Sequence, residues 1–216
     1  MIDDIKHVFN RGINKNDIFI DDYDRMRFIE SLYKFNNEKV AIRSETKSFF
    51  DNPPPQEKLV EILKWTLMPN HFHLLVQEKI EGGISEFVRR LGNGYTKYFN
   101  IKHKKSGFLF QNRTKMILVK SEQQFLYIPY YIDLNILDIY FPNWREDGLK
   151  DLNKALEVMK NYKWSSFPDY FDEKERDFSC VVNKELFYDL FDLDEEHYKK
   201  ELKDFIKSPI KKFKPD

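Results

Sequence analysis

Two apolar runs lie back to back in the middle of the chain and constrain its fold more than any other feature. The first extends from Leu59 to Met68 and the second from His71 to Gln77, with only Pro69-Asn70 between them. Runs of this length, separated by turn residues, are typical of two antiparallel strands. Because proline suits an ordinary turn, whereas tight hairpins favour the primed types, we expect a connection longer than two residues.

The segments around this pair predict an alternation of strands and helices. A short β-compatible run at 5–10 precedes an amphipathic helix at 21–36, which either of two aspartates at its start would cap. After the pair, 84–101 has helical spacing and 116–119 predicts a strand. Strand, helix, two strands, helix, strand is a ferredoxin-like order. The sequence therefore predicts an α+β fold, in which an antiparallel sheet carries helices on one face.

A second long helix is predicted to begin at Ser121, because Gln124 three residues later completes a capping box. Pro129 then predicts either a kink or the first turn of a new helix. A shorter helix near 152–162 follows, before an acidic tail.

Composition excludes several classes of protein. Hydrophobic residues at 41% and aromatic residues at 16% are too many for a disordered chain. The longest uncharged run, 65–77, contains proline and asparagine and is shorter than the roughly 20 apolar residues of a membrane span. No secretory signal is visible at the N-terminus, and the lone Cys180 excludes an internal disulfide. We expect a folded cytoplasmic protein without membrane contact.

Charge is segregated along the chain although the 36 basic and 36 acidic residues cancel. Residues 86–120 contain nine basic residues and one acidic residue, a net charge of +8, whereas 169–204 carry a net charge of −7. Both stretches could simply be solvated faces. The basic stretch, however, also contains aromatic residues, as single-stranded nucleic acid requires for stacking and phosphate contact. These rings are Tyr95, Tyr98, Phe99, Phe108 and Phe110.

His71-Phe72-His73 is the strongest chemical signal in the chain. Side chains alternate between the faces of a strand, so both imidazoles point one way and Phe72 the other. Two imidazoles on one face are able to bind one metal ion, although a hydrogen-bonded core or surface role also accounts for a histidine pair.

Tyr131 and Asn135 form a second constellation, because residues four apart lie on the same face of a helix. A free phenol, with a pKa near ~10, is a poor nucleophile at neutral pH, but a nearby metal that neutralises a phosphate lowers the barrier to attack. Asn135 would add its carbonyl oxygen to the metal site. The alternative for Tyr131 is helix packing, as for its neighbouring tyrosines.

Five motifs in order resemble the single-tyrosine HUH transposases, and most closely their REP-associated tyrosine transposase branch. They are MPNHFHLL at 68–75, GYTKYFN at 94–100, SGFLFQNR at 106–113, YIDLN at 131–135 and WSS at 164–166. The opening HVFNRG at 7–12 is also similar to that family, as are Ile18-Phe19 and Asp21-Asp22. The resemblance covers 7–167, most of the chain.

The resemblance implies an HUH endonuclease fold and a nuclease that cuts single-stranded DNA beside a hairpin, using Mg²⁺ or Mn²⁺. By this resemblance, His71 and His73 would take the two HUH ligand positions and Asn135 the third. Tyr131 would be the nucleophile, forming a 5′-phosphotyrosyl link and releasing a 3′-hydroxyl. Because imidazoles suit Mn²⁺ better than Mg²⁺, we expect Mn²⁺ to work at least as well.

DNA contact is expected from the basic residues and one ring. They are Arg11, Arg89, Arg90, Tyr95, Lys97, Lys102, Lys104, Lys105, Arg113 and Lys115. Two site assignments stay open, because Pro129 could re-aim the helix to present Tyr130 instead of Tyr131, and Asp138 is an alternative ligand to Asn135. The family usually has Asn-Pro-Val where this chain has 135–137 as Asn-Ile-Leu.

We divide the chain into a transposase-like domain at 1–167 and an acidic C-terminal extension at 168–216, expected to be helical. The domain has a variable insertion at about 37–57, which ends in Pro53-Pro54-Pro55 and has room for an edge strand at 40–43. The active form is expected to be a monomer or a homodimer.

Two alternative functions remain at this point. A catalytically idle DNA-binding protein would keep the fold and the basic helix without the chemistry. A metal-dependent hydrolase that uses the same histidines would need carboxylate ligands, which the motif region does not provide.

Overall fold

A four-stranded antiparallel sheet organises the part of the chain that the computed structural model describes, namely residues 5–39, 50, 53–171 and 176–207. The strands are β1 Ile5–Arg11, β2 Val60–Met68, β3 His71–Glu78 and β4 Lys115–Leu118. The helices are α1 Asp22–Lys34, α2 Gly83–Lys102, α3 Glu122–Tyr140, α4 Trp144–Asp147, α5 Leu152–Asn161, α6 Phe167–Phe171, α7 Lys184–Phe191 and α8 Glu195–Lys207. No helix in these ranges is long and apolar enough to cross a membrane.

The strands lie in the order β2-β3-β1-β4, and every neighbouring pair is antiparallel. Together with α1 between β1 and β2, and α2 between β3 and β4, this confirms the ferredoxin-like prediction. Asp21 caps α1, because its carboxylate accepts a hydrogen bond from the Asp24 backbone N–H at 3.0 Å. The edge strand predicted at 40–43 lies outside the described residues.

Helices cover both faces of the sheet. On one face, the Phe28 ring of α1 lies 4.9 Å from Phe72 and also contacts Tyr95 of α2. The two helices between the strands therefore share one face, as predicted. On the other face, the Tyr131 ring of α3 lies 5.7 Å from His73. This second layer explains why β2 is buried along its whole length.

The connection between β2 and β3 is a two-residue turn, so the longer connection predicted from Pro69-Asn70 is wrong. Met68 pairs directly with His71 across the hairpin. Contacts from the loop after β1 hold the turn: the Gly12 N–H donates to the Asn70 carbonyl at 2.8 Å, and the Ile18 N–H donates to the Pro69 carbonyl at 3.0 Å. Tertiary hydrogen bonds thus outweigh the local turn preference.

Helix α3 begins at the predicted capping box. The Ser121 hydroxyl accepts from the Gln124 N–H at 3.1 Å, and the Gln124 carboxamide accepts from the Ser121 N–H at 3.3 Å. The helix then continues to Tyr140 as a single element, with Pro129 buried inside it. Residues 131 and 135 therefore lie one turn apart on the same helix, as predicted.

The C-terminal segment is helical, as predicted, and packs against β2 and α3. It packs around a buried ion pair between those two elements, in which the Lys64 ammonium of β2 lies 2.7 Å from the Asp133 carboxylate of α3. Tyr198 of α8 also bonds both partners, with its hydroxyl 2.7 Å from the Lys64 ammonium. The ammonium lies 3.9 Å from the centre of the Tyr170 ring of α6. The segment thus fixes α3 against the sheet.

Candidate active site

The two histidines of β3 face α3, as their spacing predicts, and a third histidine joins them. Pairing of β1 with β3 places Phe9 opposite His73 and Arg11 opposite His71. His7, on the same face of β1, lies with its Nε2 2.9 Å from the His73 Nδ1. His7 was not among the predicted site residues.

The ring nitrogens of the predicted histidine pair are arranged so that one nitrogen of each ring is held by a neighbour. The His71 Nδ1 lies 2.6 Å from the Asn70 carboxamide oxygen, which only accepts, so His71 donates there and its Nε2 keeps a lone pair. The His73 Nδ1 is held by His7, while its buried Nε2 has no partner among the described residues. Such bonds fix the tautomer and orientation of metal-binding histidines.

Burial keeps all three rings uncharged at neutral pH. Desolvation lowers the pKa of His7 to about 3 and, together with the nearby Arg11 charge, that of His71 to about 4. Desolvation also lowers the pKa of His73 well below its ordinary value. Neutral imidazole is the form that binds a metal.

The metal-free protein is therefore expected to lose stability in mild acid. Histidine has a pKa of about 6.5 in the unfolded chain. Below that pH the histidines are protonated in the unfolded state but not in the folded state, so the stability of the fold falls as the pH drops from about 6.5 towards 4. At pH 5 the cost is about 2 kcal/mol each for His7 and His71. Urea unfolding at pH values between 7 and 5 measures this loss as a fall in the free energy of unfolding.

His71→Gln should make the free energy of unfolding fall less steeply with pH, and replacing the exposed His197 with Gln should leave that dependence unchanged. An equal pH dependence in all three proteins would contradict the conclusion that the buried rings stay uncharged.

Helix α3 brings Tyr131 and Asn135 to the same place. The Tyr131 ring is 8% exposed and lies 5.7 Å from His73 and 5.9 Å from His7, edge-on to both. The Asn135 amide donates to the Tyr131 carbonyl at 2.8 Å, one turn back along the helix. The residues predicted on separate elements therefore converge on one point.

Tyr130 points away from this point. Its hydroxyl donates to the Glu201 carboxylate at 2.6 Å, and its ring stacks on Tyr198 at 5.3 Å between centres. Burial, followed by the bond to Glu201, raises the pKa of the Tyr130 hydroxyl. Of the two adjacent tyrosines, the geometry favours Tyr131 as the reactive residue.

Arg145 and Asp138 complete the wall behind Tyr131. The Arg145 guanidinium lies 5.5 Å from the centre of the Tyr131 ring and bonds the Asp138 carboxylate at 3.1 Å. The Trp144 indole N–H donates to the same carboxylate at 2.6 Å. Because these donors occupy Asp138, Asn135 is the better candidate for the third ligand. Arg145 carries no sequence signal, since it lies on the four-residue helix α4.

A cleft of about 750 Å³ opens over these side chains. It is lined by His71, His73, Tyr131 and Asn135 together with three of the predicted DNA-binding cations. Those cations are Arg11, Arg113 and Lys115. The cleft therefore combines a phenol, two neutral imidazoles and positive charge, which suits a phosphate group.

The other predicted DNA-binding residues have different surroundings. Lys97, Lys104 and Lys105 are exposed. Glu86 accepts bonds from both Arg89 and Arg90, at 2.7 and 2.6 Å.

Two of the residues predicted to contact DNA instead bind other residues of the protein. The Lys102 ammonium is bound by Asp21 at 2.6 Å and by Asp24 at 2.8 Å. For Tyr95 the prediction is wrong, because its ring is fully buried and its hydroxyl donates to the Ile18 carbonyl at 2.6 Å.

Across the described residues, no three His, Cys, Asp or Glu side chains are grouped to hold a metal ion. A metal site here would rest on two imidazoles and the Asn135 carboxamide. The unpartnered Nε2 of His73 and the lone pair on the Nε2 of His71 fit such a site. A set of two nitrogen ligands and one oxygen ligand suits Mn²⁺ better than Mg²⁺.

Comparison with known proteins found a matching family and a matching solved structure. Residues 33–135 match the protein family described as transposase IS200 like. A solved structure of a REP-associated tyrosine transposase bound to a REP hairpin aligns with 77% of this chain and 78% of its own, at 13% identity and a TM-score of 0.41. The curated proteins give no match. The matched residues contain both β3 histidines, Tyr131 and Asn135, so over this stretch the chain is similar to IS200-like transposases.

Proposed function

We propose that the protein is a metal-dependent nickase and strand transferase for single-stranded DNA, acting at hairpins through a 5′-phosphotyrosyl intermediate. The observation that carries this proposal is the convergence of Tyr131 with His71 and His73 in one cleft that basic residues line. The match of residues 33–135 to a transposase family supports it.

The proposed step is an exchange of one phosphodiester for another. The Tyr131 phenol oxygen attacks the phosphorus, the bond to the 3′-oxygen breaks, and that oxygen leaves as a 3′-hydroxyl carrying the proton that the phenol loses. Arg145, 5.5 Å from the ring, offers positive charge to the phenol oxygen as it becomes negative. Attack by a 3′-hydroxyl on the tyrosyl phosphate reverses the step without an external energy source.

The cations of the cleft hold the strand for this exchange. Arg11 and Lys115 come from neighbouring strands, and Arg113 from the segment before β4, so three segments contribute positive charge to the cleft that Tyr131 lines. We assign His71, His73 and Asn135 as the ligands of Mg²⁺ or Mn²⁺. When bound, the metal would polarise the phosphate and neutralise its charge. His7 holds the His73 ring in place.

The test uses single-stranded hairpin DNA from the flanks of the protein's own gene, labelled at each end in turn and resolved on a denaturing gel. We expect a covalent band only from the DNA labelled on the 3′ side of the cut, because the proposed link is to the 5′-phosphate. If DNA binds but no covalent band forms in either metal, a catalytically idle DNA-binding protein replaces the proposal.

Metal removal gives a separate prediction. Chelation with EDTA should abolish the covalent band, and Mn²⁺ should restore it at least as well as Mg²⁺. His71→Ala and His73→Ala should each lower the rate at least about a hundred-fold, since a catalytic metal contributes several kcal/mol. The control is His103→Ala, because that ring pairs with Asp24, away from the cleft. Full activity in EDTA would contradict the metal assignment.

A further inference from the structure

A second groove of about 930 Å³ lies between α2 and the segment 107–116. It shares Asn10, Gln111, Asn112 and Arg113 with the wall of the catalytic cleft, so the two are neighbours on one surface. Within the proposed function, a strand that leaves the cleft on this side enters the groove.

Phe108 stands at this groove with its ring 89% exposed. A phenylalanine side chain left in water lacks the stabilisation of about 1.5–3 kcal/mol that its burial would contribute. The chain around Phe108 is anchored: the Asn100 amide donates to the Gly107 carbonyl at 2.9 Å, and the Ile13 N–H donates to the Leu109 carbonyl at 3.0 Å. Leu109 itself is buried. The exposed ring is thus presented by a fixed backbone.

The helix side of the groove leaves room for a flat group. Gly92 lies in the middle of α2 among the lining residues, and a Cβ added there would meet nothing within 4 Å. Glycine inside a helix costs about 1 kcal/mol relative to alanine. No packing contact within the described chain requires this glycine, and its lack of a side chain leaves this side of the groove open.

The charge around the groove is positive. Arg89, Lys97 and Arg113 line it, and no described residue among its lining is acidic. Glu86, nearby on α2, is engaged by Arg89 and Arg90. An apolar ring among cations matches a nucleobase with its phosphates better than it matches an apolar peptide.

We propose that this groove binds single-stranded DNA that continues from the catalytic cleft, with one base stacked on Phe108 and backbone phosphates at Lys97 and Arg113. The inference rests on the proposed function for the direction of the strand. It gives Phe108 a role in DNA affinity without a role in the covalent step.

The first measurement is binding of a fluorescent oligothymidylate of about twenty nucleotides, long enough to span several nucleotide sites. Phe108→Ala and Phe108→Leu should each raise Kd about ten-fold, because leucine keeps the apolar contact but lacks the ring face. Phe108→Trp should bind as tightly as wild type. The control is Tyr23→Ala, which removes another exposed ring, 77% exposed, from α1. Equal affinity of wild type and Phe108→Ala would overturn the proposal.

The second measurement is covalent product at saturating hairpin DNA, where Phe108→Ala should react within about two-fold of wild type, since stacking affects affinity alone. If wild type gives no covalent product but its DNA binding still depends on Phe108, the proposed nickase function is overturned and the proposed DNA binding in the groove stands. Light scattering completes the test: a dimer that Phe108→Ala converts to a monomer would assign the groove to self-association and overturn the proposal.

Discussion

Replacing Tyr131 with phenylalanine is expected to abolish the covalent product, with a loss of about 10⁴-fold or more, as for other essential nucleophiles. Only the phenol oxygen is removed, so the ring packing against His73 and His7 stays. DNA affinity should therefore change little. Rates come from a denaturing gel and affinity from fluorescence anisotropy.

The matched control is Tyr130→Phe, one residue away on the same helix. It removes the bond to Glu201 and should cost about 1 kcal/mol of stability while leaving the covalent product in place. The reverse pattern, with product from Tyr131→Phe and none from Tyr130→Phe, would identify Tyr130 as the nucleophile and contradict the assignment of Tyr131.

Lys64→Met is expected to destabilise the fold by about 3–5 kcal/mol, because it leaves the Asp133 charge buried without its partner. Both side chains are fully buried, with 2.7 Å between the ammonium and the carboxylate. Burial lowers the pKa of Lys64 and raises that of Asp133, so each charge depends on the other. Urea unfolding measures the loss.

The double variant Lys64→Met with Asp133→Leu should recover most of that stability, since apolar pairs often replace buried ion pairs without loss. Asp133 lies between Tyr131 and Asn135 on α3, so Lys64→Met should also reduce the covalent product more than the double variant does. If Lys64→Met unfolds at the wild-type urea concentration, the ion pair does not fix the helix.

Local spacing was enough to predict most of the fold and which candidate site residues share a face of β3 or of α3. The alternation of β3 placed His71 and His73 on one face, and the four-residue step of α3 placed Tyr131 and Asn135 together. Both patterns depend on a single element, whose period follows from backbone geometry. The order of strands and helices then gave the ferredoxin-like sheet.

The missed residues depend on contacts between distant segments. His7 reaches His73 only because β1 pairs with β3, 66 residues away along the chain. Arg145 reaches Tyr131 from the short helix α4, and Lys64 meets Asp133 across 69 residues. No local period reports such pairs. Only the register of β1 against β3 brings His7 to the same face as His73, two residues from the Phe9 that pairs with it.

The position of Tyr95 among cations predicts DNA contact, whereas the helical pattern around it predicts a place in the core. Phe87, Leu91, Tyr95 and Phe99 repeat every four residues along α2, and all are buried. A repeat of this kind marks the buried stripe of an amphipathic helix. Phe108 lies outside any helix and is exposed.

The most direct test of the central claim is to find the atom that carries the DNA. The wild-type covalent complex, formed with hairpin DNA and Mn²⁺, is digested with nuclease and protease, and the modified peptide is sequenced by mass spectrometry. We predict a nucleotide joined through its 5′-phosphate to Tyr131. A nucleotide on Tyr130 or on any other residue, with Tyr131 unmodified, would contradict the account.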